Sequence, residues 1–158
     1  NLTDVSRDER YQSIFNVFYG TSRRSSDWRH KYYTLLEDLK SDKLTEYPQA
    51  LNALYNSTGR VEASFASKIV ATIRPEKPVY DSFVLKNLQL NKPAYYKKAD
   101  EKIADAVRTY GEIEMSYDCA RHSDLFSALM TEFDEHFPKF KHFTDVKKLD
   151  IFLWQMRK

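Results

Sequence analysis

The sequence predicts an all-α fold, a compact bundle of seven to eight helices in one helical domain spanning residues 1–158. Apolar residues recur at helical spacing along almost the whole chain. The chain has only three glycines and five prolines, and no two-residue hairpin turn separates alternating segments. At 158 residues it is long enough to bury one core without disulfides or metal ions. No repeat or Gly- or Ser-rich linker divides it, so we expect one body.

Three helices are predicted in the first part of the chain, over residues 7–19, residues 26–39 and a segment that begins near Pro48. Proline is tolerated in the first turn of a helix, and the sequence around Gly59 should end the third one. The apolar stripes that define these helices are Ile14, Phe15 and Phe18, then Trp28, Tyr32, Leu35, Leu36 and Leu39, then Leu51, Leu54 and Tyr55.

The remaining helices are predicted from caps and breaks. Residues 60–73 place Ala63, Ala66, Ile69, Val70 and Ile73 on one face, and the prolines that follow break this helix. Asp81 is well placed to cap the next helix, because a carboxylate can accept the free amides of a first turn. The last predicted helices cover residues 82–88, then 97–115 after Pro93, then 124–136 and 145–156 after the caps Ser123 and Thr144.

The composition excludes several classes of protein. Basic residues exceed acidic ones by only two, so any nucleic-acid site must be a local patch. No apolar run is long enough to span a membrane, and the first residues do not form a signal peptide, so we expect no membrane contact and a cytoplasmic location. Cys119 stands alone, which excludes an internal disulfide, and we expect it to be buried. Most aromatic residues, including Trp154, should pack in the core.

One segment, residues 60–90, carries a more specific pattern. A helix containing Ala66-Ser67-Lys68-Ile69-Val70 is followed by a proline-containing link and then by Pro78-Val79-Tyr80-Asp81-Ser82-Phe83-Val84-Leu85-Lys86. With Tyr80 treated as an insertion, this order resembles the core of the helix-hairpin-helix DNA glycosylase superfamily. The tail, residues 144–154, is similar to the end of small bacterial glycosylase-like proteins. Together they suggest a diverged protein of the 8-oxoguanine-glycosylase type.

The resemblance implies that the chain binds DNA and excises damaged or modified bases, with Asp81 as the catalytic carboxylate. A carboxylate beside a breaking glycosidic bond stabilises the developing oxocarbenium charge or activates a water. The family's hairpin carries two glycines and a lysine that attacks the sugar. Here the glycines are absent and Ser64 occupies the lysine's place, so Lys68 is the candidate for a relocated nucleophile. Arg60, Ser64 and Ser67 are the implied nucleic-acid contacts.

Each candidate also has an ordinary interpretation. Asp81 can serve only as a helix cap, and the side chains of Lys68 and Arg60 can simply be exposed to solvent. Two alternative functions stay open as well: a non-catalytic helical interaction domain on the same scaffold, and a ribonuclease like the HEPN proteins. The second rests on Arg24 and His30, whose spacing matches the arginine and histidine motif of those enzymes.

We expect no metal site and no cofactor. The histidines other than His30 lie at intervals that do not suit a metal pair on a helix. The basic pairs are most simply solvated helix ends, although they could gather into a nucleic-acid patch if the fold brought them together. These pairs are Arg23-Arg24, Lys97-Lys98 and Lys147-Lys148.

Overall fold

The computed structural model describes residues 3–42, 45–91, 94 and 96–156. Within these residues the chain forms eight α-helices and no strands, which confirms the predicted all-α bundle. The helices are α1 (Glu9–Tyr19), α2 (Ser26–Lys40), α3 (Tyr47–Thr58), α4 (Ala63–Ile73), α5 (Ser82–Asn87), α6 (Ala99–Arg121), α7 (Asp124–His136) and α8 (Asp145–Gln155). Two short 3-10 turns lie at Thr21–Arg23 and Pro138–Phe140. Pro93 lies outside the described residues, so its predicted role as a separator stays a prediction.

The core is centred on α3, which packs against α2, α4 and α6. The tyrosines of the core bury their rings, and the hydroxyls of Tyr47 and Tyr32 donate hydrogen bonds to backbone carbonyls, as buried tyrosines usually do. The ring of Tyr47 stacks on that of Tyr110 with 3.9 Å between centroids. The hydroxyl of Tyr47 donates to the carbonyl of Ala63 at 3.3 Å, and that of Tyr32 donates to the carbonyl of Phe65 at 3.2 Å. These bonds fix the first turn of α4 against the core.

The apolar stripe predicted for α1 is wrong. Ile14 and Phe18 are exposed, at 63% and 50%, and only Phe15 of the predicted three is buried. The inward face is Tyr11, Phe15 and Tyr19, at i, i+4 and i+8, and the rings of Phe15 and Tyr19 lie 4.6 Å apart. Tyrosine is amphipathic, so a pattern that counts only aliphatic residues and phenylalanine misplaces this face.

The C-terminal half of α6 differs from its prediction. The helix continues to Arg121 instead of ending near residue 115. Ile113 and Tyr117, one turn apart, are buried and set its inward face. Cys119 follows Tyr117 by two positions and therefore points to the other side of the helix. It is exposed, which corrects the expectation that it is buried.

The predicted caps are largely confirmed. The carboxylate of Asp81 accepts the backbone N–H of Phe83 at 2.8 Å, and the hydroxyl of Thr144 accepts that of Lys147 at 3.2 Å. Ser123 occupies the cap position of α7, but its hydroxyl donates to the carbonyl of Ala120 instead of capping an amide. Gly59 ends α3 in the left-handed region, with φ at 70°, a conformation that favours glycine. None of the described helices has both the length and the apolar character needed to cross a membrane.

Candidate functional site

A cavity of about 230 Å³ lies where the end of α1, the middle of α4, the link before α5 and the face of α8 meet. Its apolar wall consists of Val17, Phe18, Val79, Val84, Ile151 and Trp154, and its polar groups belong to Tyr19, Lys68, Asp81, Lys147 and Asp150. Ligand pockets generally begin at about 300 Å³. This cavity therefore has room for one small ring or a similar group, held by a few polar atoms.

Lys68 is buried in the middle of α4, with only 7% of its surface exposed. Its ammonium donates to the hydroxyl of Ser64 at 3.0 Å and lies 4.7 Å from the ring centre of Phe65 and 5.6 Å from that of Tyr19. The pKa of Lys68 is held below its ordinary value by burial, while the charge of Asp81 opposes this effect. The interpretation of Lys68 as a solvated lysine is therefore wrong.

Asp81 stands at the first turn of α5 and faces the same cavity as Lys68. One carboxylate oxygen is fixed by the amide of Phe83, so the side chain is both a helix cap and a cavity group. Among the ion pairs of the described residues there is none between Asp81 and Lys68, although their charges act on each other. A ligand in this cavity would meet both a carboxylate and an amine.

The cavity also contains a lysine and a carboxylate that sequence reasoning missed. The side chains of Lys147 and Asp150 are 15% and 8% exposed, and the ammonium of Lys147 lies 3.7 Å from Oδ2 of Asp150 and 3.1 Å from the hydroxyl of Tyr19. The view of Lys147-Lys148 as a solvated helix end is wrong, because Lys148 is also buried and pairs with Asp134 at 2.6 Å.

A helical pattern in the sequence could have found this wall of the cavity. Lys147, Asp150, Ile151 and Trp154 are spaced by three, four and seven positions on α8, so they share one face. Because that face mixes charged and apolar residues, a search for apolar stripes does not detect it. Trp154, expected in the core, lies half-buried at this wall.

Ser67 has a structural role that leaves it no free surface. It is fully buried, its hydroxyl donates to the carbonyl of Ser64 at 2.9 Å, and it accepts the backbone N–H of Tyr80 at 2.8 Å. This second bond helps to hold the link that carries Asp81. Ser67 therefore supports the cavity from behind and is left out of the candidate nucleic-acid contacts.

The other two implied nucleic-acid contacts have different surroundings. Ser64, partly exposed, accepts a hydrogen bond from Lys68 and so belongs to the surroundings of the cavity. Arg60 is outside the cavity, with 71% of its side chain exposed, and lies 3.7 Å from Glu62. The structure thus brings Ser64, Lys68 and Asp81 together. Arg60, although close to Ser64 in sequence, lies on the surface outside the cavity.

Arg24 and His30, the two residues of the ribonuclease alternative, lie outside the cavity. The guanidinium of Arg24 pairs with Glu62 at 2.8 Å and lies about 5 Å from the ring centres of Trp28 and Phe65. His30 is exposed on α2. Because internal contacts already hold Arg24, it would have to leave them before it could stabilise a phosphate in a ribonuclease reaction.

The described residues contain no cluster of three or more histidine, cysteine or acidic side chains arranged to bind a metal ion. The polar groups of the residues that line the cavity are two amines, two carboxylates and a phenol. Comparison of the chain with models of known protein families, with curated proteins and with solved structures finds no match.

Proposed function

We propose that this chain is a DNA-binding protein of the glycosylase type that removes damaged or modified bases, using Asp81 and Lys68. The observation that carries the proposal is that a buried lysine with a lowered pKa and a helix-capping carboxylate line one small cavity. Both residues belong to the segment, residues 60–90, that resembles the helix-hairpin-helix glycosylases. DNA is the proposed partner, and the cytoplasm is the proposed location.

Asp81 is proposed to stabilise the sugar as its bond to the base breaks. The sugar then gains oxocarbenium character, and a fixed carboxylate in a site with little water is effective at stabilising that charge. The hydrogen bond from the amide of Phe83 holds the carboxylate in one orientation. No rearrangement is therefore needed as the charge develops.

Lys68 is proposed as the nucleophile. A lowered pKa increases the fraction of unprotonated amine at neutral pH, which is the form that can attack. The amine forms a bond to C1′ of the sugar while the bond from C1′ to the base breaks, and the base leaves with the electron pair and takes a proton from water. The amine then passes a proton to Asp81, the bond from C1′ to O4′ of the sugar ring breaks, and O4′ keeps the electron pair and takes that proton from Asp81, which leaves a protonated imine between Lys68 and C1′.

Binding of DNA would depend on local contacts, since the net charge of the chain is only +2. Arg60 is an exposed cation close to α4 and is the candidate for a phosphate contact. Val17 and Phe18, which line the cavity, are 80% and 50% exposed, so an apolar edge borders the site. A base turned out of a duplex could enter beside this edge.

The test is release of bases from duplexes that carry single oxidised, alkylated or deaminated bases, with the products identified by mass spectrometry. We expect release from at least one duplex, loss of release in Asp81→Asn and Lys68→Met, and unchanged release in Lys139→Met, whose lysine is exposed outside the cavity. If no duplex loses a base and none binds, the proposal fails. The scaffold would then fit a helical interaction domain instead.

A further inference from the structure

The two carboxylate oxygens of Asp150 have different surroundings. Its Oδ1 accepts the backbone N–H of Val79 at 3.1 Å and the hydroxyl of Tyr117 at 2.7 Å. Its Oδ2 is buried and, within the described part of the chain, has no hydrogen-bond partner. The residue is only 6% exposed, yet it lines the cavity. A buried acceptor without a donor costs stability, so it is a group that a ligand could satisfy.

Lys147 supplies the complementary group. Its ammonium lies 3.7 Å from Oδ2 of Asp150, which is an ion pair but too long for a hydrogen bond. One of its three protons is directed to the hydroxyl of Tyr19 at 3.1 Å. Among the described residues the other two have no acceptor within hydrogen-bond distance, and the flexible stem of a lysine lets the ammonium move as a ligand enters. An acceptor and a donor thus lie next to each other in two residues that line one wall of the cavity.

We infer that Asp150 and Lys147 read the edge of the base, and that the cavity accepts bases with an N–H next to a C=O. The N–H would donate to Oδ2 of Asp150, and the C=O would accept from the ammonium of Lys147. Uracil and hypoxanthine have such an edge. Cytosine and adenine carry a bare ring nitrogen next to an amino group, which would place an acceptor against the carboxylate and a donor against the ammonium.

The inference rests on the proposed function, since it takes a base as the ligand of the cavity, but it goes further by naming the class of base. Selectivity of this kind is strong when the site is buried, because the wrong edge leaves both protein groups unpaired. A matched pair of hydrogen bonds to a base edge gives roughly fivefold to 150-fold discrimination in affinity.

The experiment measures binding of four bases by ligand-observed NMR, which detects weak ligands. Each base is methylated at the nitrogen that carries the sugar in DNA, N1 of a pyrimidine or N9 of a purine, because free cytosine would otherwise offer its own N1–H next to C2=O. Uracil is paired with cytosine and hypoxanthine with adenine, because each pair differs at this edge. We expect uracil and hypoxanthine to bind at least about fivefold more tightly than their partners. Asp150→Asn should remove this preference, because the amide can still accept from Val79 and Tyr117 through its oxygen but turns a donor toward the ligand. Asp145→Asn, an exposed change on the same helix, is the control.

Equal binding within each pair, a preference for cytosine or adenine, or no binding of any base would overturn the inference. A preference for uracil or hypoxanthine that survives in Asp150→Asn would also overturn the inference. Base binding does not require that a glycosidic bond be cut, so the two proposals can fail separately. Base release from lesion duplexes without this selectivity would leave the glycosylase proposal in place, and selectivity without release would leave only the base site.

Discussion

The backbone N–H of Val79 donates a hydrogen bond of 3.1 Å to Asp150, a residue 71 positions further along the chain. Val79 precedes Asp81 by two residues, so α8 directly holds the link that places the candidate catalytic carboxylate. The two stretches of sequence on which the glycosylase proposal rests, residues 60–90 and residues 144–154, therefore meet at one cavity.

The first prediction concerns the pH dependence of stability at Asp150. Burial raises the pKa of Asp150, and the charge of Lys147 and the hydrogen bonds from Tyr117 and Val79 only partly oppose this. The folded state therefore holds the Asp150 proton more tightly than the unfolded state, and the stability this provides is lost as pH rises through the folded pKa. Relative to Asp150→Asn, the wild type should become more stable as pH falls from neutral toward the ordinary aspartate range.

The measurement for Asp150 is the free energy of unfolding in urea at several pH values for the wild type and Asp150→Asn. Each unit of pKa elevation corresponds to about 1.4 kcal/mol across the full window. A difference between the two proteins that stays constant with pH would contradict the account. Asp145→Asn should show no such pH-dependent difference, because its carboxylate is exposed.

The second prediction concerns the cost of burying Lys68. Burial lowers its pKa, so the folded state releases this proton more readily than the unfolded state, and stability rises as pH increases from the lowered pKa toward the ordinary lysine value. Lys68→Met should therefore raise the free energy of unfolding by ~1 kcal/mol at neutral pH. This gain should shrink in alkaline solution. Denaturant unfolding checks it, and a variant less stable than the wild type at pH 7 would show that Lys68 serves the fold.

The helices themselves could be predicted from the sequence because caps, breaks and apolar spacing agreed. The predicted segment 124–136 coincides with α7, and α2 and α3 were found from the stripes around Tyr32 and Leu51. These signals are local, so one sequence is enough to read them. The predicted helix boundaries differ from the observed ones where the spacing of apolar residues was the only signal, as at the end of α6.

The site could be predicted only in part. Asp81 was found because its motif and its cap position coincide. Lys147 and Asp150 were missed because a lysine and an aspartate three positions apart on a helix ordinarily indicate a solvated face. Whether such a face turns inward depends on α1 and on the link before α5, which pack against it from distant parts of the chain. Periodicity carries no information about that packing.

The third prediction separates the two roles of Asp81. Asn is also a good helix cap, so Asp81→Asn should change the free energy of unfolding by only a few tenths of a kcal/mol, while Asp81→Ala should cost ~1 kcal/mol. Both remove the negative charge and should abolish base release. If Asp81→Asn retained full activity at wild-type stability, the residue would be a cap alone.

The fourth prediction uses Trp154 as a reporter of the cavity. The chain has two tryptophans, and Trp28→Phe leaves only the one that lines the cavity. The substitution should be tolerated, because the indole N–H of Trp28 has no hydrogen-bond partner within the described residues. A duplex with a lesion that binds at the cavity should shift the fluorescence of Trp154 to shorter wavelength as water leaves the indole. Trp154→Phe, which keeps Trp28, should show no shift, and an identical shift in both variants would contradict this placement.

The role of Lys68 as the nucleophile is tested most sharply by borohydride trapping of the protein on a duplex that contains an abasic site, followed by peptide mass mapping of the adduct. The imine between a lysine and C1′ is reduced to a stable amine, so the modified lysine can be identified. We expect an adduct on Lys68, absent in Lys68→Met, reduced at least about tenfold in Asp81→Asn and unchanged in Lys139→Met. An adduct on Lys147 or on a surface lysine, or none from a protein that binds the duplex, would contradict it.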